Sequence, residues 1–271
     1  MTLNADKIKA VAQRPASHRG RFFRTVLALI LREAETRYSR VFGGYLWAFL
    51  EPVAAIIFLT AIFSLLSRTP ALGSNFPLFY ATGFLPYSMF MGISTSLAQA
   101  IQFSRPLLQY PAITFLDALV ARLILNLITH GLVMMVVLVV IVRFYDISLI
   151  IDWYALGLGV AMVVALGSAI GIMNCYLTLA MPIWSTIWAI ATRPLFIISG
   201  VIFLPDNLAE QMRDHLMLNP IAHFVSVFRS GIYSIYDASY ANPLYVFGIS
   251  IIIGTIGMLL LARNYKTLLL R

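Results

Sequence analysis

The sequence predicts an all-α integral membrane protein with six transmembrane helices, and three observations lead there. Of its 271 residues, 61% are hydrophobic and 11% charged, whereas a soluble domain carries about 25% charged residues. Six runs reach the roughly 20 apolar residues that a helix needs to cross about 30 Å of hydrocarbon: residues 47–66, 77–98, 119–142, 153–179, 185–204 and 244–262. The cations gather at the two ends. Nine of the nineteen (Lys7, Lys9, Arg14, Arg19, Arg21, Arg24, Arg32, Arg37 and Arg40) precede the first run, and Arg263, Lys266 and Arg271 follow the last. Lys and Arg concentrate on the cytoplasmic side of membranes, so both termini are expected there and the number of crossings is even. The net charge of +8 is thereby a topology signal and does not call for a nucleic-acid partner.

Residues 1–20 read as a cytoplasmic tail. No cleavable signal peptide is expected, because the short apolar stretch 26–31 is broken at once by Arg32, Glu33 and Glu35. Residues 21–45 have another character. Phe23, Val26, Leu27, Ile30, Leu31, Ala34 and Tyr38 recur at helical spacing, while Arg24, Thr25, Arg32, Glu35 and Thr36 fall off that stripe. The pattern predicts an amphipathic helix lying in the membrane interface, either as an anchor or as a moving element. Residues 46–271 form the membrane domain.

Glu51 stands early in the first span, just before Pro52. It either reaches the interface, for instance to pair with Arg40, or serves a function. Along the second span Tyr80, Phe84, Tyr87 and Phe90 form an aromatic group, read as an interfacial belt or as rings lining a pore. The loop 101–118, with Arg105-Pro106, Tyr110-Pro111 and Asp117, is cytoplasmic by parity and either docks a partner or merely connects. In the third span Arg122 is expected to snorkel to the surface, and Asn126 and His130, at i and i+4, to hydrogen-bond between helices. Gly167 and Gly171 give the fourth span a small-xxx-small pair for close packing. Trp184 and Trp188 open the fifth span. Arg193-Pro194 lies deeper in it, so either that span starts later than Ser185 or Arg193 faces a wet cavity or a partner. Residues 216–236 contain Asn219, Pro220, His223 and Arg229. A central Arg is costly in a full crossing, so this segment is expected to be a re-entrant or interfacial helical hairpin on the external side.

Catalytic machinery is not visible. The three lysines follow Asp6, Ile8 and Tyr265, never Gly, so the Gly-Lys-Ser/Thr turn that cradles nucleotide phosphates is missing. His18, His130, His215 and His223 show no metal-ligand spacing, and no Gly-x-Ser-x-Gly elbow occurs. Cys175 is the single cysteine, which excludes an internal disulfide. Neither cofactor, metal nor catalytic residue is assigned to this chain.

The amphipathic segment ending in Arg37-Tyr38-Ser39 is followed by Gly43-Gly44-Tyr45-Leu46-Trp47 and Glu51-Pro52. Later come Ser199-Gly200-Val201-Ile202-Phe203, then 218–224 (Leu-Asn-Pro-Ile-Ala-His-Phe) and Arg229. In this order, from about residue 21 onward, the chain resembles the permease subunits of ABC type-2 exporters, specifically those for capsular polysaccharide. The resemblance implies an inner-membrane subunit that pairs with a second copy of itself to form a channel for a lipid-linked polysaccharide. It implies two copies of a separate ABC ATPase, which would hold ATP and Mg, and periplasmic or outer-membrane export partners. The helix at 21–45 would act as a gate through Phe23, Leu27, Ile30, Arg37 and Tyr38. Arg105, Tyr110 and Asp117 would dock the ATPase. Glu51, Tyr80, Phe84, Tyr87, Phe90 and Arg193 are candidates for the channel or its entrance, and Asn219, Pro220, His223 and Arg229 for an external re-entrant segment. Alternatives are the same fold exporting O-antigen, teichoic acid, lipid or drug, or, further off, an ion-coupled carrier or a membrane-embedded enzyme. A carrier would show deep acidic residues or repeated broken spans, and no repeat is visible.

Overall fold

A computed structural model of the chain describes residues 18–38, 44–110 and 113–269. Among the described residues there are ten α-helices, one 3-10 turn and no strand. The helices are α1 (His18–Tyr38), α2 (Gly44–Leu66), α3 (Phe76–Ala98), α4 (Ala100–Ser104), α5 (Phe115–Phe144), α6 (Trp153–Ala180), α7 (Trp184–Ile197), α8 (Glu210–Leu216), α9 (Pro220–Ile232) and α10 (Pro243–Leu269). Several begin at side chains that satisfy the otherwise unpaired first N–H groups. Asn75 accepts from the Leu78 N–H, Asp152 from those of Tyr154 and Ala155, and Asn219 from that of Ile221. Pro220 at the first position of α9 loses no hydrogen bond there.

Among the described residues four helices are long and apolar enough to cross a membrane: Leu46–Leu66 of α2, Phe115–Phe144, Trp153–Ala180, and Pro243–Tyr265 of α10. α3 has 23 residues but is less apolar, since it carries Thr82, Ser88, Ser94, Thr95 and Ser96. It lies against α6, α5, α2 and α9, where a polar residue can find a protein partner. α6 is the central post and packs against α10, α3 and α9. Helices gain little from burying apolar surface away from lipid, so close backbone approach matters more. A Cβ at Gly171 would fall 2.7 Å from the Leu97 Cβ on α3, and one at Gly231 only 2.6 Å from the Leu156 backbone nitrogen on α6. Both positions exclude any larger residue.

The fifth expected span ends early. In place of 185–204 the structure has α7, which stops at Ile197 after 14 residues, about 21 Å at 1.5 Å per residue. That is short of the hydrocarbon thickness. Gly200 then adopts φ +70°, a conformation that favours glycine, and the turn directs three carbonyls at Arg229. Its Nη1 donates to Gly200 O (2.5 Å) and Phe203 O (3.2 Å), and its Nη2 to Val201 O (2.7 Å). The guanidinium also sits 4.5 Å from the centre of the Phe79 ring. Arg229 is 0% exposed. Unpaired carbonyls in an apolar medium cost several kcal/mol each, and here the guanidinium replaces the helical N–H donors that this stretch lacks. Gly83 leaves it room: a Cβ there would lie 2.6 Å from Nη2 and 2.7 Å from Val201 O.

The segment 216–236 contains α9, 13 residues long or about 20 Å. Residues 221–229 are all buried, enclosed by α6, α3 and α10. Asn219 Nδ2 donates to Ile198 O and to Ser199 Oγ, which ties the start of α9 back to the end of α7. His223 accepts the Asn242 N–H at Nδ1, so its Nε2 carries the proton and donates to Met217 O at 2.7 Å.

Replacing Arg229 with Met would leave three buried carbonyls without donors. The expected loss is about 3 kcal/mol or more, seen as a lower unfolding midpoint of the purified protein in detergent. Arg229→Lys should recover part of it at best, because one ammonium cannot span the fork. An unchanged midpoint in both would show that the turn at 200–203 does not depend on this side chain.

Candidate functional site

Two cavities flank α3 and share its residues Met91 and Thr95 as a common wall. On one side, about 750 Å³ opens between α2, α3 and α5, lined among others by Trp47, Glu51, Phe84, Tyr87 and His130. His130 packs directly over Gly92 of α3. On the other side, about 820 Å³ opens between the ends of α3 and α6, α4 and α7, lined among others by Gln99, Gln102, Arg105, Asn174, Trp184 and Trp188. α7 meets α3 chiefly through aromatics: the Tyr87 and Phe196 rings are 5.2 Å apart, Phe84 and Phe196 6.1 Å, and the Tyr87 hydroxyl donates to Thr192 O.

The structure divides the sequence-derived channel candidates. Glu51, Phe84 and Tyr87 line the first cavity together, and Glu51 is exposed. Tyr80 and Phe90 line neither cavity and are packed in the core: Tyr80 packs on Phe63, Phe76 and Phe79, and Phe90 on Phe224 and on Tyr87. Arg193 is exposed and lines neither cavity. Residues spaced three or four apart share a helix face, but that face meets different neighbours at different heights, so the cavity reaches only part of the group.

α1 seats on α5. Val26 and Leu29 are buried with Ala121, and Ile30, Leu107, Val120 and Ile124 pack around them. Phe23, Leu27 and Leu31 remain exposed, so the apolar stripe splits into a seated half and an outward half. The side chains of Arg37 and Tyr38, and all of Arg40, lie outside the described residues. In the following loop Arg105 and Tyr110 are exposed. Asp117 is buried, and its carboxylate accepts from the Thr114 N–H (2.7 Å) and hydroxyl (2.9 Å) while its own N–H donates to Thr114 Oγ1. That is a capping box for α5, and it commits the carboxylate to the helix start rather than presenting it to a partner. The four candidates for an external segment, Asn219, Pro220, His223 and Arg229, all lie at or within α9, and Asn219, His223 and Arg229 make the hydrogen bonds described above.

Residues 24–233, from early α1 to just past α9, match the family model of the ABC-2 type transporter. The chain belongs to the ABC-2 type transporter family. Among curated relatives, this transporter chain is 28% identical over 208 residues to the polysialic acid transport protein KpsM of Escherichia coli, covering 77% of this chain and 81% of that one. It is 24% identical over 243 residues, 90% and 92% of the two chains, to the capsule polysaccharide export inner-membrane protein CtrC of Neisseria meningitidis. Over a shorter stretch of 90 residues, 32% of this chain and 34% of the relative, it is 33% identical to the O-antigen export system permease protein RfbA of Myxococcus xanthus.

Two parts of this ABC-2 chain escape sequence reasoning. Arg122 does not snorkel. It is buried and pairs with Glu33 of α1 at 2.8 Å, donates to Ser96 O at the end of α3 (2.7 Å), and lies 4.7 Å from the Phe103 ring centre on α4. One guanidinium thus joins α1, α3, α4 and α5. Asn126 adds a bond to Ser96 Oγ, the interhelical role its position suggests. Glu33 stands 89 positions from Arg122, so no local pattern pairs them. Likewise, Asn174, Gln99 and Gln102 look like scattered polar residues until the fold places them around Trp184 and Trp188.

A double-mutant cycle on Glu33→Ala and Arg122→Ala should give a coupling of about 1–3 kcal/mol, read from unfolding in detergent. Arg122→Ala alone should cost more than Glu33→Ala, because it also strips Ser96 O and Phe103 of their contact. Zero coupling would mean that α1 is held by its apolar face alone.

Proposed function

We propose that this chain is the membrane-spanning subunit of an ATP-driven exporter that moves lipid-linked capsular polysaccharide across the bacterial inner membrane. The observation that carries the reading is the match to a capsule polysaccharide export inner-membrane protein along 90% of this chain, within an established ABC-2 fold family. The geometry agrees with it: an apolar helical bundle bears large, mixed polar and aromatic cavities beside α3.

In this reading two copies pair, and the second closes the open sides of the cavities into a channel. α2, α3, α5, α6, α7 and α10 make six crossings with both termini cytoplasmic. α7 falls short alone, and the turn at 200–203 with α8 and α9 completes its passage as the external re-entrant segment. Two separate ABC ATPase subunits carry ATP and Mg and dock at the loop 101–118 through Arg105 and Tyr110. The ATPase stroke reaches α1, the gate helix, through the Arg122 junction, since Arg122 touches Phe103 within that loop and Glu33 on α1. Periplasmic and outer-membrane partners receive the polymer. A second reading, export of O-antigen by the same device, draws on the stretch of 33% identity to an O-antigen permease.

Deleting the gene in its native host should trap polymer inside the cell with synthesis intact, and the trapped material names the cargo: capsule supports the first reading, O-antigen the second. Normal surface polymer of both kinds, in a strain without a duplicate transporter, would overturn both. Leu27→Pro, on the exposed side of α1, should abolish export while insertion persists; loss of insertion instead would make α1 a mere anchor. Arg105→Glu with Tyr110→Ala should reduce copurification of the ATPase at least fivefold. Undiminished copurification would remove this loop as the docking element.

A further inference from the structure

Two opposite charges on membrane helices find no counter-charge within the chain. Glu51 on α2 and Arg193 on α7 are both exposed, and among the described residues neither makes a hydrogen bond or an ion pair. Neither stands at a helix end. Glu51 lies beyond Leu46, where the apolar stretch of α2 starts, by about 8 Å at 1.5 Å per residue. Arg193 lies about 14 Å into α7. Facing lipid, each is an uncompensated charge in an apolar medium, and such charges in membrane proteins pair with one another.

The two helices flank one edge of α3. Phe84 and Tyr87 line a cavity together with Glu51, and the same two rings hold Phe196 of α7. The Tyr87 hydroxyl donates to the carbonyl of Thr192, the residue before Arg193. Both charges thus stand near Tyr87, yet α2 packs on α3 and α5, and α7 on α6 and α3. The exposed neighbours are apolar: Leu50, Ile57 and Phe58 on α2, and Ile187, Ile190 and Ile197 on α7. Such side chains suit lipid and protein equally, so the charges decide what covers this edge.

We propose that a second copy of this chain covers it, with Glu51 of each copy paired to Arg193 of the other. The inference rests on the pairing of two copies in the export reading above and names its contact. About a twofold axis the surface is self-complementary: where α2 meets the partner's α7, α7 meets the partner's α2, and one interface satisfies four charges. Charge also selects against the alternatives, since α2 on α2 opposes two carboxylates and α7 on α7 two guanidinium groups. The guanidinium fork suits a carboxylate through two parallel hydrogen bonds, and the contact closes the open side of the cavity at Glu51.

The test uses the full chain with its ATPase in native membranes. Two differently tagged forms are coexpressed, one with Glu51→Cys and the other with Arg193→Cys, so that one of the two pairs stays intact; Cys175 is 0% exposed and out of reach. A short bifunctional thiol reagent should give a product that carries both tags. Glu51→Arg and Arg193→Glu should each lower surface polymer about tenfold or more at unchanged chain level, and the double reversal should restore about half or more of it. A charge that acts alone is not rescued by reversing the other. A missing doubly tagged product, or a double reversal no better than the single ones, overturns the contact. So does Arg193→p-benzoylphenylalanine if it captures phospholipid and no second copy, which assigns Arg193 to a headgroup phosphate. The deletion strain is scored separately: normal surface polymer there overturns the export reading, whereas trapped polymer with no doubly tagged product overturns the contact alone.

Discussion

The fold turns on one buried guanidinium. Arg229 holds the carbonyls of residues 200, 201 and 203, and that contact lets the chain leave the helical ladder inside the bundle without stranding those carbonyls. Every nearby feature is fitted to it. Gly200 supplies the left-handed turn, Gly83 the space beside the fork, and Phe79 the aromatic face. A short, wholly enclosed α9 follows, because the helix that carries Arg229 must sit inside the bundle to bring the cation to those carbonyls. The two terminal nitrogens of the cation are met by backbone carbonyls and its plane by a ring, and this suits a site whose task is to terminate a helix.

α3 has the opposite role. It is not among the four helices long and apolar enough to cross a membrane and has protein on most sides, yet its stretch at Met91 and Thr95 is the partition between two cavities. Phe79 and Tyr80 near its start are buried in the core and the helix packs on α9, while Phe84 and Tyr87 line one cavity and also hold Phe196 of α7. The two cavities differ in chemistry because the helices opposite α3 differ: α2 and α5 bring Glu51 and His130, whereas α6, α4 and α7 bring Asn174, Arg105 and two tryptophans.

Near the same end of the bundle, Arg122 converts four separate helices into one mechanical unit. Its bonds to Glu33 and Ser96 O and its stacking on Phe103 are each short-range. Together they join α1 to the segment that precedes the exposed loop at Arg105 and Tyr110. A polar junction suits such a coupling. Apolar helix faces slide at low cost in lipid, whereas a charge pair with fixed hydrogen bonds has a small number of allowed positions.

The sequence by itself determined the class and the frame. Long apolar runs, basic ends and an amphipathic segment are read from composition and periodicity, which depend on the solvent each residue meets and not on distant neighbours. It also marked 216–236 as exceptional, because Arg229 and Pro220 contradict a plain crossing. The tertiary structure alone decided where α7 stops, since that depends on Arg229, some 29 positions away from Gly200. It alone decided that Phe84 and Tyr87 line a cavity while Tyr80 and Phe90 do not, because the neighbours that meet each stretch of α3 come from distant parts of the chain. And it alone paired Glu33 with Arg122, committed Asp117 to a helix cap, and gathered Asn174, Trp184 and Trp188 into one wall. These are contacts between residues far apart in sequence or turned by local geometry, and hydropathy has no term for them.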